Sequence, residues 1–127
     1  MNKVITEESH TSEKDCFYMV DREKEAFTYP LHKHEAMELN FVENCDGARR
    51  IVGDSIEVLG KYDMVLVGSD LEHAWDQYDC QSKSIHEITI QGISCLKFWS
   101  ICSSTFLTLM LSGVFFTLEK LRLASRV

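Results

Sequence analysis

Between residues 17 and 90 apolar and polar side chains alternate in short runs, as in Met37-Glu38-Leu39-Asn40-Phe41 and Ile85-His86-Glu87-Ile88-Thr89-Ile90. A period of two belongs to an extended strand with one face buried. Turn-forming residues separate the runs, at Asn44 to Gly47, Gly53 to Ser55, Gly60 to Asp63 and Gly68 to Asp70. The pattern predicts strands at about 16–21, 26–32, 37–43, 48–52, 56–58, 64–67, 72–76 and 84–90. With no helical pattern between them, these runs describe an all-β sandwich or barrel, and eight strands suffice to close a small barrel. Glu7 to Lys14 is polar throughout and reads as a mobile lead-in. Beyond Gln91 the spacing of Phe98, Ile101, Cys102, Phe106, Leu109, Met110 and Leu111 favours a helix over a strand.

Composition divides the chain at the same seam. The 127 residues carry a net charge of -7 and suffice for one domain. Residues 1–91 hold 9 Lys plus Arg against 19 Asp plus Glu, whereas residues 92–127 hold 4 against 1. Three segments result: a polar lead-in (1–15), an acidic β-domain (16–91) and an apolar tail (92–127). An acidic chain without a basic face is not expected to hold DNA by itself, because phosphate contacts are made by clustered Lys and Arg.

Five cysteines without a CxxC pair suit a reducing compartment, and the acidic start lacks the basic and apolar parts of a signal peptide, so the expected location is the cytoplasm. Phe98 to Leu118 runs for 21 residues without a charge, long enough to cross a bilayer. Seven of the 21 are Ser or Thr and Gly113 interrupts them, so a buried or interface helix is preferred to a membrane anchor. The abrupt change near Gln91 also fits a shifted reading frame, and that reading stays open beside a selected tail.

Chemistry concentrates in four residues, His32, His34, Glu38 and His73. Imidazole and carboxylate are the usual ligands of divalent Zn, Fe, Mn, Ni and Cu, and this set would hold one such ion with positions left open. His32 and His34, two apart on a strand, share a face. Glu38 lies too far along a straight strand to join them, so the chain must turn between Glu35 and Met37 and bring Glu38 back on a neighbouring strand. His73 must arrive from another strand of a curved sheet. The alternative is a set of pocket histidines hydrogen-bonded to a ligand or to backbone. His10 reads as solvated and His86 as an outward position or a pocket wall. Arg49 and Arg50, beside Asp46, read as a solvated hairpin or as partners of an acidic effector, and the cysteines read as structural.

The segment PLHKHEAMEL, with His32, His34 and Glu38, resembles the first signature of the cupin superfamily. YDMVLVGSDLEHAW, with Asp63, Gly68, Leu71, His73 and Trp75, resembles the second. More narrowly, Cys16 to Gln91 is similar to the N-terminal sensor domain of AraC-type transcription regulators. It departs from the general pattern in having Ala26 and Tyr62 where Gly is usual, and Gly68 where Pro is usual.

The resemblance implies a cupin-type double-stranded β-helix (jelly-roll) barrel, followed here by an apolar tail read as helical. It implies an effector-sensing or dimerisation domain without its DNA-binding half. A small effector such as a sugar would be bound by His32, His34, Glu38, His73 and Trp75, either directly or through one divalent metal (Zn, Ni, Fe or Mn). A homodimer is the expected assembly and no catalytic residue is assigned. The alternative is a stand-alone metal cupin enzyme of dioxygenase or isomerase type.

Overall fold

The computed structural model describes residues 3–8, 17–92 and 121–124. Among them are ten strands and no helix: β1 (Ile5–Thr6), β2 (Phe17–Lys24), β3 (His32–Lys33), β4 (Met37–Glu43), β5 (Arg49–Val52), β6 (Ser55–Val58), β7 (Tyr62–Val67), β8 (His73–Asp76), β9 (Ile85–Gly92) and β10 (Leu121–Ala124). They form two five-stranded sheets, ordered β1-β3-β8-β5-β6 and β10-β7-β4-β9-β2. Pairing is antiparallel except where β1 lies along β3 and β10 along β7.

The all-β expectation holds, but the sheets stay open. Among the described residues no ladder joins one sheet to the other, so this is a two-sheet sandwich and not a closed barrel. The run expected as a strand at 26–32 is mostly outside the ladders. Only His32 and Lys33 pair, because Pro30 has no N–H to donate and the Phe27 N–H donates to the Gln77 side chain at 3.0 Å.

The two sheets pack face to face through one apolar cluster. Val52 and Trp75 come from one side, and Val42, Val65, Val67 and Ile85 from the other. Each such side chain, fully withdrawn from water, contributes about 1.5–3 kcal/mol. A second cluster lies on the opposite face of β4, β7 and β9 and contains Leu39, Phe41, Met64, Leu66 and Ile90. Along β4, therefore, the apolar residues 39 and 41 point away from the sandwich interior, while Glu38 and Asn40 share the inward face with Val42. That inversion creates the polar pocket described below.

The turn before β5 is held by Gly47, whose φ of +82° favours glycine and whose missing Cβ would stand 2.6 Å from the Asp79 carbonyl oxygen. The Asp79 N–H donates to the Gly47 carbonyl at 3.0 Å, tying this turn to the one that follows β8.

Two ends of the chain depart from the sequence reading. Ile5 and Thr6, within the lead-in, add a strand to the first sheet: the Ile5 N–H donates to Leu31 O at 3.1 Å and the Glu7 N–H to Lys33 O at 2.8 Å. Residues 9–15 of that lead-in lie outside the described residues. In the tail, Leu121–Ala124 pair with Met64–Val67 as a strand, not a helix. The helix and membrane-span readings of 98–118 fall outside the described residues. No described helix is long and apolar enough to cross a membrane.

Candidate metal centre and pocket

Strand pairing assembles the site. β3 and β8 are antiparallel with His32 directly across from His73, and the two rings stand 4.2 Å apart. His34 lies just past the end of β3, clasped by the Asp70 N–H, which donates to its carbonyl at 2.8 Å. The chain then bends at Glu35 and Ala36. The expected turn is present, but it delivers Glu38 to the facing sheet and not to a neighbouring strand. All four residues are buried, and their ligand atoms lie within 4.8 Å of one another. That span is little more than twice a metal–nitrogen bond of about 2.1 Å.

The outer nitrogens decide what the inner ones can do. His32 Nδ1 faces Pro30 O, His34 Nδ1 faces Ala36 O and His73 Nδ1 faces Leu71 O, each at 2.8 Å. A carbonyl oxygen only accepts, so each Nδ1 carries the proton and donates. In a neutral ring the Nε2 then has a lone pair, and in all three rings it is the Nε2 that belongs to the inward-facing cluster. This is the orientation that metal-bound histidines require, with the second nitrogen fixed by a backbone carbonyl.

His73 Nε2 has no hydrogen-bond partner although buried, and Glu38 Oε2, at 3.7 Å, is too far to supply one. An orphaned lone pair in this position is what an ion at the centre would engage. His34 Nε2 stands 3.0 Å from Glu38 Oε2. Since His34 Nδ1 already holds a proton and the Glu38 carboxyl, its pKa lowered, is ionised, that contact needs either the doubly protonated ring or a metal in the proton's place.

The electrostatics follow from this geometry. Burial alone would raise the Glu38 carboxyl, but the hydrogen bond from His34 and the closeness of His73 outweigh it and hold Glu38 well below the ordinary carboxylate range. Burial works against the charged form of His34, and the Glu38 carboxylate more than offsets it, so its pKa is raised. His32 is pushed down by burial and by the neighbouring His73. Gln91 Nε2 donates to Glu38 Oε2 at 3.1 Å and steadies the carboxylate from β9.

Beside the cluster opens a solvent-facing pocket. His32 and Glu38 form part of its wall. Tyr18, Val20, Arg22 and Lys24 line it from β2, Asn40 from β4, and Glu87, Thr89 and Gln91 from β9, while Phe27, Tyr29, Trp75 and Glu7 complete the rim and walls. Trp75, expected at the pocket, is there and also packs edge-on against His73, with centroids 6.0 Å apart. Glu87 is buried and its Oε2 receives Arg22 Nε at 2.8 Å and Lys24 Nζ at 2.9 Å, while its Oε1 accepts from Asn40 Nδ2 at 3.2 Å.

Other readings resolve plainly. His86 points outward and pairs with Asp21 at 2.7 Å. Arg49 pairs with Asp76, and Arg50 is buried between Asp63 and Glu57. Cys45 and Cys80 are buried free thiols; burial and the Asp63 charge push Cys45 up to about 12. His10 lies outside the described residues.

Sequence reasoning missed Arg22, Lys24, Asn40, Glu87 and Gln91. The signal was present in the alternation Tyr18-x-Val20-x-Arg22-x-Lys24 and Glu87-x-Thr89-x-Gln91, each a single strand face. Apolar residues stand on both faces of β9, Ile85 on one and Ile88 and Ile90 on the other, so alternation alone does not mark the inner face. No protein-family model matches the chain, and no curated protein matches it either.

Proposed function

We propose that residues 16–91 are a cupin-type sensor domain, similar to that of AraC-type transcription regulators, which holds one divalent transition metal and binds a small effector beside it. The observation that carries this reading is the shared orientation of three imidazoles: each Nδ1–H is tied to a backbone carbonyl, leaving three Nε2 atoms and the Glu38 carboxylate gathered in one buried cluster. Four buried groups that compete for protons yet gather round one point are costly without a cation among them. Bound there, the ion would be held by His32, His34, Glu38 and His73 and would supply a positive charge and open coordination positions.

Signalling follows if effector affinity differs between two arrangements of a dimer or of an attached partner domain, since a ligand that binds both equally shifts nothing. The described surface supplies no basic recognition helix, and DNA contact is assigned to a partner domain and not to these residues.

The test is metal content. The purified chain, loaded with zinc, nickel, iron(II) or manganese and then desalted, should retain about one ion per chain by elemental analysis, and His34→Ala should lose it. Retention of none by the wild type, or equal retention by His34→Ala, overturns the reading.

A further inference from the structure

We propose that the pocket takes a small organic anion with an oxygen donor at one end, directed to the metal beside His32 and Glu38, and a carboxylate at the other, directed to Arg22 and Lys24. The inference rests on the metal reading above and adds the chemical class of the ligand.

Strand register sets the two ends. On the inward face Glu38 lies opposite Gln91 and Asn40 opposite Thr89, while Arg22 lies opposite Glu87 on the next ladder. Asn40 bridges the ends: its Nδ2 reaches Glu38 Oε1 at 3.4 Å and Glu87 Oε1 at 3.2 Å. A ligand only a few atoms long therefore spans them.

Charge sets the class. Arg22 and Lys24 converge on the same oxygen of a single carboxylate, Glu87 Oε2, so two cations share one anion. Lys24 is largely withdrawn from water, its side chain 19% exposed, and an unbalanced charge in such a place attracts a counter-ion more strongly than at the surface. With a divalent ion in place, the ion, Arg22 and Lys24 outweigh Glu7, Glu38 and Glu87 by one positive charge. Without it, even a doubly protonated His34 brings these groups only to a balance of zero, with no positive excess. Anion affinity should thus depend on the metal, a coupling between two adjacent ligands. A neutral polyol would leave the excess cation unanswered. Phe27, Tyr29 and Trp75 wall the space and keep it to small molecules.

The experiment is titration calorimetry on the full chain with L-malate, with lactate, which lacks the second carboxylate, and with erythritol, a neutral polyol of the same carbon number. In zinc-loaded protein malate should bind at least tenfold more tightly than lactate or erythritol, and removal of zinc should weaken malate at least tenfold. Lys24→Met should weaken malate about tenfold with zinc stoichiometry unchanged. If that variant does not fold, Arg22→Gln, at a half-exposed position, gives the same readout. Erythritol binding as tightly as malate, or malate affinity indifferent to both substitutions, overturns the inference while leaving the metal reading intact. Failure of the wild type to retain zinc, measured on the same samples, overturns both.

Discussion

Replacing Glu87 by Gln keeps the side-chain shape and removes the carboxylate charge that pairs with Arg22 and Lys24 at the pocket wall. The two ion pairs contribute unequally. The Arg22 side chain is 54% exposed, so water and salt screen its pair, which is worth about 0–1 kcal/mol. Lys24, at 19% exposure, makes a charge-assisted hydrogen bond in a drier setting, worth about 1.5–3 kcal/mol. Gln also turns an NH₂ donor toward groups that are themselves donors. The expected loss is roughly 2–4 kcal/mol, read from urea unfolding at pH 7 as a lower midpoint with an unchanged slope.

The pH dependence supplies a second check. Burial pushes the Glu87 carboxyl up, but Lys24 and Arg22 outweigh it, so its folded pKa lies below the ordinary value of 4.5. A depressed folded pKa means stability that is fully present above the unfolded value and lost as pH falls through the folded one. The gap between wild type and Glu87→Gln should be constant above about pH 5 and should narrow on further acidification. A gap below about 1 kcal/mol at pH 7, or one that widens in acid, refutes the reasoning.

Other outcomes follow from single contacts. Gly47→Ala, at a φ of +82° and facing the Asp79 carbonyl, should lose at least about 1 kcal/mol in the same unfolding assay. Arg50→Met leaves the buried Asp63 without its partner and should cost about 3–5 kcal/mol, while adding Asp63→Leu should recover most of that loss. The Cys45 thiol, pushed up to about 12 by burial and Asp63, should resist iodoacetamide in the folded chain at pH 8 and react on unfolding, as followed by peptide mass spectrometry.

Much of the fold could be read from the chain because period-two alternation is a local property. The run at Met37–Glu43 was placed to the residue, and the strands from β5 to β9 to within two residues at either end. What alternation cannot reveal is which face of a strand lies inside. The sheet of β4 and β9 has buried side chains on both faces, Leu39, Phe41 and Ile90 on the outer and Glu38, Asn40 and Glu87 on the inner. Strands assembled by distant pairing were also hidden: β1 and β10 exist through parallel contacts that no local pattern announces.

The metal candidates were legible because their spacing is chemical. Two histidines in HxH share one side, and Glu38 is the first carboxylate past a bend. The facing-sheet position of Glu38 was not legible, nor were the backbone carbonyls that orient the rings, since those depend on where Pro30, Ala36 and Leu71 lie in space.

The central claim is that three imidazoles and one carboxylate share an ion. X-ray absorption at the zinc edge of the loaded, desalted chain tests it most directly. Scattering from about three imidazole nitrogens, with oxygen completing the shell at about 2.0–2.1 Å, is the predicted result. Sulfur at about 2.3 Å, or a shell with fewer than two imidazoles, would contradict it.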